Sequence, residues 1–176
     1  WQHAAVNDLG VINAHFNKRT QVKKYGGKYA NRAYRWQDNL RTKAVEKLFP
    51  NYFTGFKNLH APAAYTKSAF AAVWDAEPEL LARTTSHRFR SAEDLNQWVC
   101  LWWQVASGQF APFNTDNVVS CADGDTVDEL CRIIREQCHD MLCINDPEKP
   151  VDFEVLSARL RGAFEMILPE KSEFER

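Results

Sequence analysis

The feature that most constrains this chain is a four-residue apolar run, Met141-Leu142-Cys143-Ile144, set between His139-Asp140 and Asn145-Asp146-Pro147. So short a run with turn-forming residues after it reads as a buried strand. A strand of this length cannot form a sheet alone. Nearly everything around it has helical periodicity, so the strand needs partners, which would most simply come from an N-terminal portion outside this chain. The expectation is an α/β protein seen by its helical half, with one to three short strands.

The helical signals are specific. Ala5, Leu9, Ile12 and Phe16 recur at spacings of three and four, predicting a helix over 4–16, and Tyr25-Gly26-Gly27-Lys28 reads as a helix break. A second pattern over 38–48 carries Leu40, Ala44, Val45 and Leu48 as its apolar stripe and ends at Pro50. Phe53 to Leu59 reads as extended, and two short helices suit 66–74 and 78–83, the latter with Pro78 in its first turn. Thr84 to Phe89 reads as extended or looped. Ser91-Ala92-Glu93-Asp94 matches a helix opening, with helical register continuing to Val105 and Gly108 as a stop. After turn-rich residues 109–125, Val127, Leu130, Ile134 and Cys138 mark another helix. The last is the clearest: Phe153, Leu156, Leu160, Phe164 and Ile167 share a face and Pro169 closes it.

With 176 residues, 45% of them hydrophobic, one domain over 1–176 with one sizeable core is expected. No apolar stretch reaches the roughly 18 residues that a membrane span requires. The five cysteines are an odd number without a closely spaced pair, which fits reduced core thiols; the adjacent Cys138 and His139 lack the spacing of a zinc module. Net charge is only −1, yet residues 18–43 hold nine Lys or Arg and one acid, together with Tyr25, Tyr29, Tyr34 and Trp36. Such a stretch serves nucleic acid, an anionic glycan or a membrane surface, or is a solvated connector.

Polar groups that could carry chemistry gather at three element boundaries. In the stretch from His87 to Asp94, an extended Arg88-Phe89-Arg90 before a helix start would direct two guanidinium groups toward an anion also favoured by free helical N–H groups. Against this stands a plain surface pairing of Arg90 with Glu93 or Asp94. His60, between Leu59 and Ala61-Pro62, is placed to take a proton from a hydroxyl, or is simply a hydrogen-bonded structural residue. Lys67 adds positive charge nearby. Asn145-Asp146 follows the strand, where α/β sheets bind ligands, so Asp146 could hold Mg²⁺ or a sugar hydroxyl; Asn-Asp-Pro is equally a good turn.

Taken in order, Asn58-Leu59-His60-Ala61-Pro62 with Lys67, Phe89-Arg90-Ser91 with Glu93-Asp94, and Cys143-Ile144-Asn145-Asp146 followed by 168–175 resemble the third and fourth signature blocks of the Stealth family. That family includes bacterial capsule and exopolysaccharide phosphotransferases and an animal N-acetylglucosamine-1-phosphotransferase. The resemblance implies the helix-rich C-terminal half of a nucleotide-sugar transferase fold, and transfer of a sugar-1-phosphate from a UDP-sugar to a glycan hydroxyl. It implies His60 as general base and Arg90 as the group neutralising the transferred phosphate. Lys67, Arg88, Glu93, Asn145 and Asp146 would contact substrate, and Asp146 and Asp94 a divalent cation such as Mg²⁺. The family's first two blocks are not in this chain, so its partners would include a nucleotide-binding N-terminal half, and the chain alone should release no UMP. A cytoplasmic location, free or peripheral to a membrane, is expected, and nucleic acid is not an expected partner of a transferase. The competing readings are a non-enzymatic module gripping nucleic acid or anionic glycan through 18–43, and a glycosyltransferase forming an ordinary glycosidic bond.

Overall fold

The computed structural model describes residues 2–56, 63–114, 118–121, 127–144 and 152–175. They divide into two compact units, one up to residue 114 and one from residue 118 onward.

The first unit is helical. It contains α1 (Gln2–His15), α2 (Lys18–Tyr29), α3 (Trp36–Leu48), α4 (Lys67–Ala76), α5 (Pro78–Ser86) and α6 (Trp98–Ala106). The α6 sequence WVCLWWQVA is apolar nearly all round, and a helix without a polar face must be surrounded. It packs against α1 and α4. On one side Val99 and Cys100 meet Val11, Val73, Leu81 and Leu95; on the other, Trp102 and Ala106 meet Ile12 and Phe53. Burying each of these larger side chains contributes roughly 1.5–3 kcal/mol. Phe53 is held in place by Asn13, whose side-chain amide donates to the Phe53 carbonyl (2.9 Å) and accepts the Phe53 N–H (2.8 Å), as a neighbouring strand would.

Two expectations fail here in part or in whole for tertiary reasons. The break read at Tyr25 to Lys28 is present as a kink at Tyr25 (φ −128°, ψ 19°), but α2 continues through Gly26-Gly27. The turn after α6 anchors it, since Lys28 Nζ donates to the Gly108 carbonyl (2.6 Å) and the Tyr29 hydroxyl to that of Val105 (2.7 Å). Gly108, at φ 75°, also lies so close to Tyr25 that a Cβ there would sit 2.6 Å from the ring, so this helix stop accepts only glycine. The second failure is α3. Its stripe was expected inside, yet α3 has no buried residue, and Leu40 and Leu48 are 56% and 71% exposed.

The second unit runs β1 (Val118–Cys121), α7 (Val127–Glu136), β2 (Met141–Ile144), α8 (Phe153–Ile167). The strands pair in parallel from Val118 opposite Met141 to Cys121 opposite Ile144, joined through α7 as a parallel pair requires. The predicted strand at 141–144 is present, and one partner lies within the chain, in the stretch read as turns. Leu130, Cys131, Ile133 and Ile134 form the buried face of α7, which packs on α8. The α8 bounds agree with the sequence pattern, and Asp152 caps the helix by accepting the Glu154 (3.1 Å) and Val155 (3.2 Å) N–H groups. Its inner face is rotated from the expected stripe: Ala163 is buried with Leu160 and Ile167 beside it, while Phe153 and Phe164 are exposed. Small Ala163 gives α7 the closer approach. Cys100 and Cys131 are buried thiols, as expected of core cysteines, whereas Cys138 is exposed and Cys143 half-buried.

Candidate functional site

The best-defined polar constellation is the loop from His87 to Asp94, which leaves the C-terminus of α5. Thr85 and Ser86 hydroxyls turn back onto carbonyls of the last helical turn, so α5 ends just before His87. Asp94 then closes the loop on itself. Its Oδ2 accepts the Ser91 N–H (2.6 Å) and its Oδ1 lies 2.7 Å from His87 Nδ1. Asp94 is only 7% exposed. The Ser91 N–H, and after it His87, hold its carboxyl below the usual carboxylate range, so Asp94 is an acceptor and His87 Nδ1 carries the hydrogen. Nε2 is left as the ring atom for meeting a ligand.

The closed loop displays the residues between its ends. Arg88, Phe89 and Arg90 are all exposed, Phe89 to 79%, with the Arg88 guanidinium 5.4 Å from the Phe89 ring centre. Of the two acids considered as surface partners of Arg90, Glu93 lies 3.7 Å from Arg83 and Asp94 faces His87 Nδ1. Two guanidinium groups, an imidazole and an aromatic face on one short loop form a surface that can receive a phosphate and the ring attached to it.

One part of the expected anion site is absent. No helix opens at Ser91; α6 begins at Trp98, where the Asn96 side chain accepts the Trp98 N–H (2.7 Å), and the Ser91 N–H is already given to Asp94. The helix opening signalled by Ser91 to Asp94 is reduced to its back-reaching carboxylate. Asp94, expected also as a metal ligand, accepts within the loop through both oxygens. Among the described residues no group of three His, Cys, Asp or Glu is gathered as a metal site would need.

Residues with no sequence signal hold the loop from behind. Asn7 of α1 donates to the Ala92 (2.8 Å) and Asp94 (3.1 Å) carbonyls, and the adjacent Asp8 accepts the Asn96 N–H (3.1 Å). Asp8 is wholly buried, and burial pushes its carboxyl up to about 7, against which the Asn96 N–H works. The one clue is that Asp8 lies one helical turn before Ile12 and so on the inner face of α1. A second buried anchor is Gln104 of α6. Its Oε1 accepts from the Thr66 N–H (2.7 Å) and hydroxyl (3.1 Å), and its Nε2 donates to the Ala64 carbonyl (3.0 Å). Gln104 thereby fixes the segment before α4, where Lys67 is the exposed first residue. His60, Asn145 and Asp146 lie outside the described residues.

Comparison with known proteins gives a consistent set of relatives. A capsular polysaccharide phosphotransferase WcwK of Streptococcus pneumoniae is 30% identical over 172 residues, 97% of this chain and 50% of the relative. The receptor polysaccharide phosphotransferase WefC of Streptococcus gordonii is 28% identical over 173 residues, 98% of this chain and 51% of the relative. The exopolysaccharide phosphotransferase cps2G of Lactiplantibacillus plantarum is 29% identical over 177 residues, 100% of this chain and 51% of the relative. The chain thus spans about half the length of the curated relatives it matches. No family model and no solved structure matches it.

Proposed function

We propose, for a chain that belongs to the family of bacterial capsular and exopolysaccharide phosphotransferases, that the loop from His87 to Asp94 handles the phosphate of a UDP-sugar during transfer of sugar-1-phosphate to a glycan hydroxyl. The acceptor oxygen attacks the phosphorus bearing the sugar, and the bond from that phosphorus to UMP breaks. UMP leaves with the electron pair, and a phosphodiester joins the two sugars. His60 takes the proton from the acceptor hydroxyl. Arg90 meets the charge on the transferred phosphate, with Arg88 as a second cation and Lys67 adding positive charge. Asn145 and Asp146 contact nucleotide or sugar. Glu93, engaged with Arg83, helps hold the loop. The unit containing β1 and β2 belongs, in this reading, to a larger nucleotide-sugar transferase sheet, since both ends of β2 are still exposed.

The observation that carries this reading is the closure of the loop by buried Asp94 with Arg88, Phe89 and Arg90 turned outward. Their exposure leaves both guanidinium groups within reach of a phosphate from solvent. The test is to supply the intact protein with acceptor glycan and a UDP-sugar radiolabelled at the phosphorus next to the sugar. Label in the glycan as a phosphatase-resistant diester, with UMP released in equal amount, is expected. Label remaining in UDP would mean a glycosidic bond had formed and would overturn the proposal.

A further inference from the structure

The outward stripe of α3 is independent of the loop. On a helix of 3.6 residues per turn, Trp36, Leu40, Ala44 and Leu48 follow one another at spacings of four, and all four are exposed, Trp36 to 68%. Lys43 and Lys47 fall on the same arc, and both are exposed. The acids of α3 do not share it. Asp38 and Glu46 are half-buried on the opposite side, Asp38 with Arg41 at 3.7 Å and Glu46 toward the buried Lys18. Exposed Phe49 and Tyr52 extend the apolar surface beyond the helix, and Arg32 and Arg35, also exposed, precede it. A bulky apolar face carrying only positive charge has a definite chemical complement: an anionic surface with hydrocarbon beneath it.

We infer that α3 docks this protein onto an anionic lipid bilayer, lying in the plane of the interface with Trp36, Leu40 and Leu48 among the acyl chains and Lys43 and Lys47 at the headgroups. At 13 residues, about 20 Å, the helix is too short to span a bilayer, and no helix among the described residues is long and apolar enough to do so. A nucleic acid or soluble anionic glycan would use the lysines but gains little from two exposed leucines. Lysine stems can lie along the apolar stripe while their ammonium groups stay in water.

The test is flotation of the intact protein with vesicles of phosphatidylglycerol and phosphatidylcholine, against vesicles of phosphatidylcholine alone. Binding to the anionic vesicles that falls with added salt is expected. K43Q/K47Q should weaken it by about tenfold or more, near the value of two lysines at an anionic surface. L40S/L48S should weaken it as well, with an unchanged thermal midpoint for both variants, because these side chains are exposed. Several outcomes would overturn the inference: no preference for anionic vesicles, vesicle binding that ignores both variants, or a lowered midpoint in L40S/L48S with binding intact, which would mean that protein covers this face. Tight RNA binding lost in K43Q/K47Q but kept in L40S/L48S would likewise replace the bilayer with a polyanion.

Discussion

Replacing Arg90 by lysine in the intact protein is expected to lower phosphodiester formation by about 10²–10³-fold, the scale seen when one positioned donor to a developing charge is removed. The charge survives the change, but the fork does not: lysine cannot give two parallel hydrogen bonds to one phosphate. Arg90 is exposed and its loop is closed by Asp94, Ser91 and His87, so the variant should fold as the parent does. Initial rates over a range of UDP-sugar concentrations separate the effects. A fall mainly in kcat is expected of a group acting on the transferred phosphate, whereas a change confined to KM would make Arg90 a ground-state contact only. Replacing His60 by alanine should cost a similar factor, through loss of the proton acceptor.

Asp8→Asn should change how stability depends on pH. In the folded protein the Asp8 carboxyl is raised from an ordinary 3.8 to about 7 by burial, so the native state keeps a proton that the unfolded chain gives up. Stability from this source is fully present at pH below about 4 and declines as pH rises toward 7, because the native state then binds more protons than the unfolded one. The loss is roughly 4 kcal/mol. Asparagine resembles the protonated acid and keeps an oxygen for the Asn96 N–H. The variant should therefore lack the decline, and its thermal midpoint should exceed the parent's by roughly 10 °C at pH 8 while matching it near pH 4. Parallel midpoints for the two proteins across that range would contradict the assignment.

The helical half of this fold is legible wherever one helix buries one face. Residues 153–167 and 127–136 have that character, and their bounds agree with the pattern closely. Legibility fails where a distant contact decides the outcome. Gly26-Gly27 reads as a break, yet Lys28 and Tyr29 are tied to the turn at 105–108, and those bonds offset the weak helix propensity of two glycines. The strand at 118–121, Val-Val-Ser-Cys, is a short run set within turn-forming residues and is defined by pairing with 141–144. On α3 the periodicity reveals one apolar face but not its direction, since a stripe of Leu and Ala looks the same whether protein or another surface covers it.

The site divides in the same way. Arg88, Arg90 and Asp94 stand out in sequence because charge clusters at an element boundary, whereas the closure of His87 on Asp94 depends on a turn that the Ser91-to-Asp94 pattern disguises as a helix start. Asn7, Asp8 and Gln104 have no signature at all. Each is a single polar residue on a buried helix face, and its role comes from which backbone it meets across the core.

The most direct measurement is a crystal structure of the intact protein with a UDP-sugar bound. The diphosphate is expected against the outward side of the Asp94-closed loop, within hydrogen-bonding distance of the Arg90 guanidinium. A diphosphate bound elsewhere, with Arg90 directed to solvent, would contradict the account.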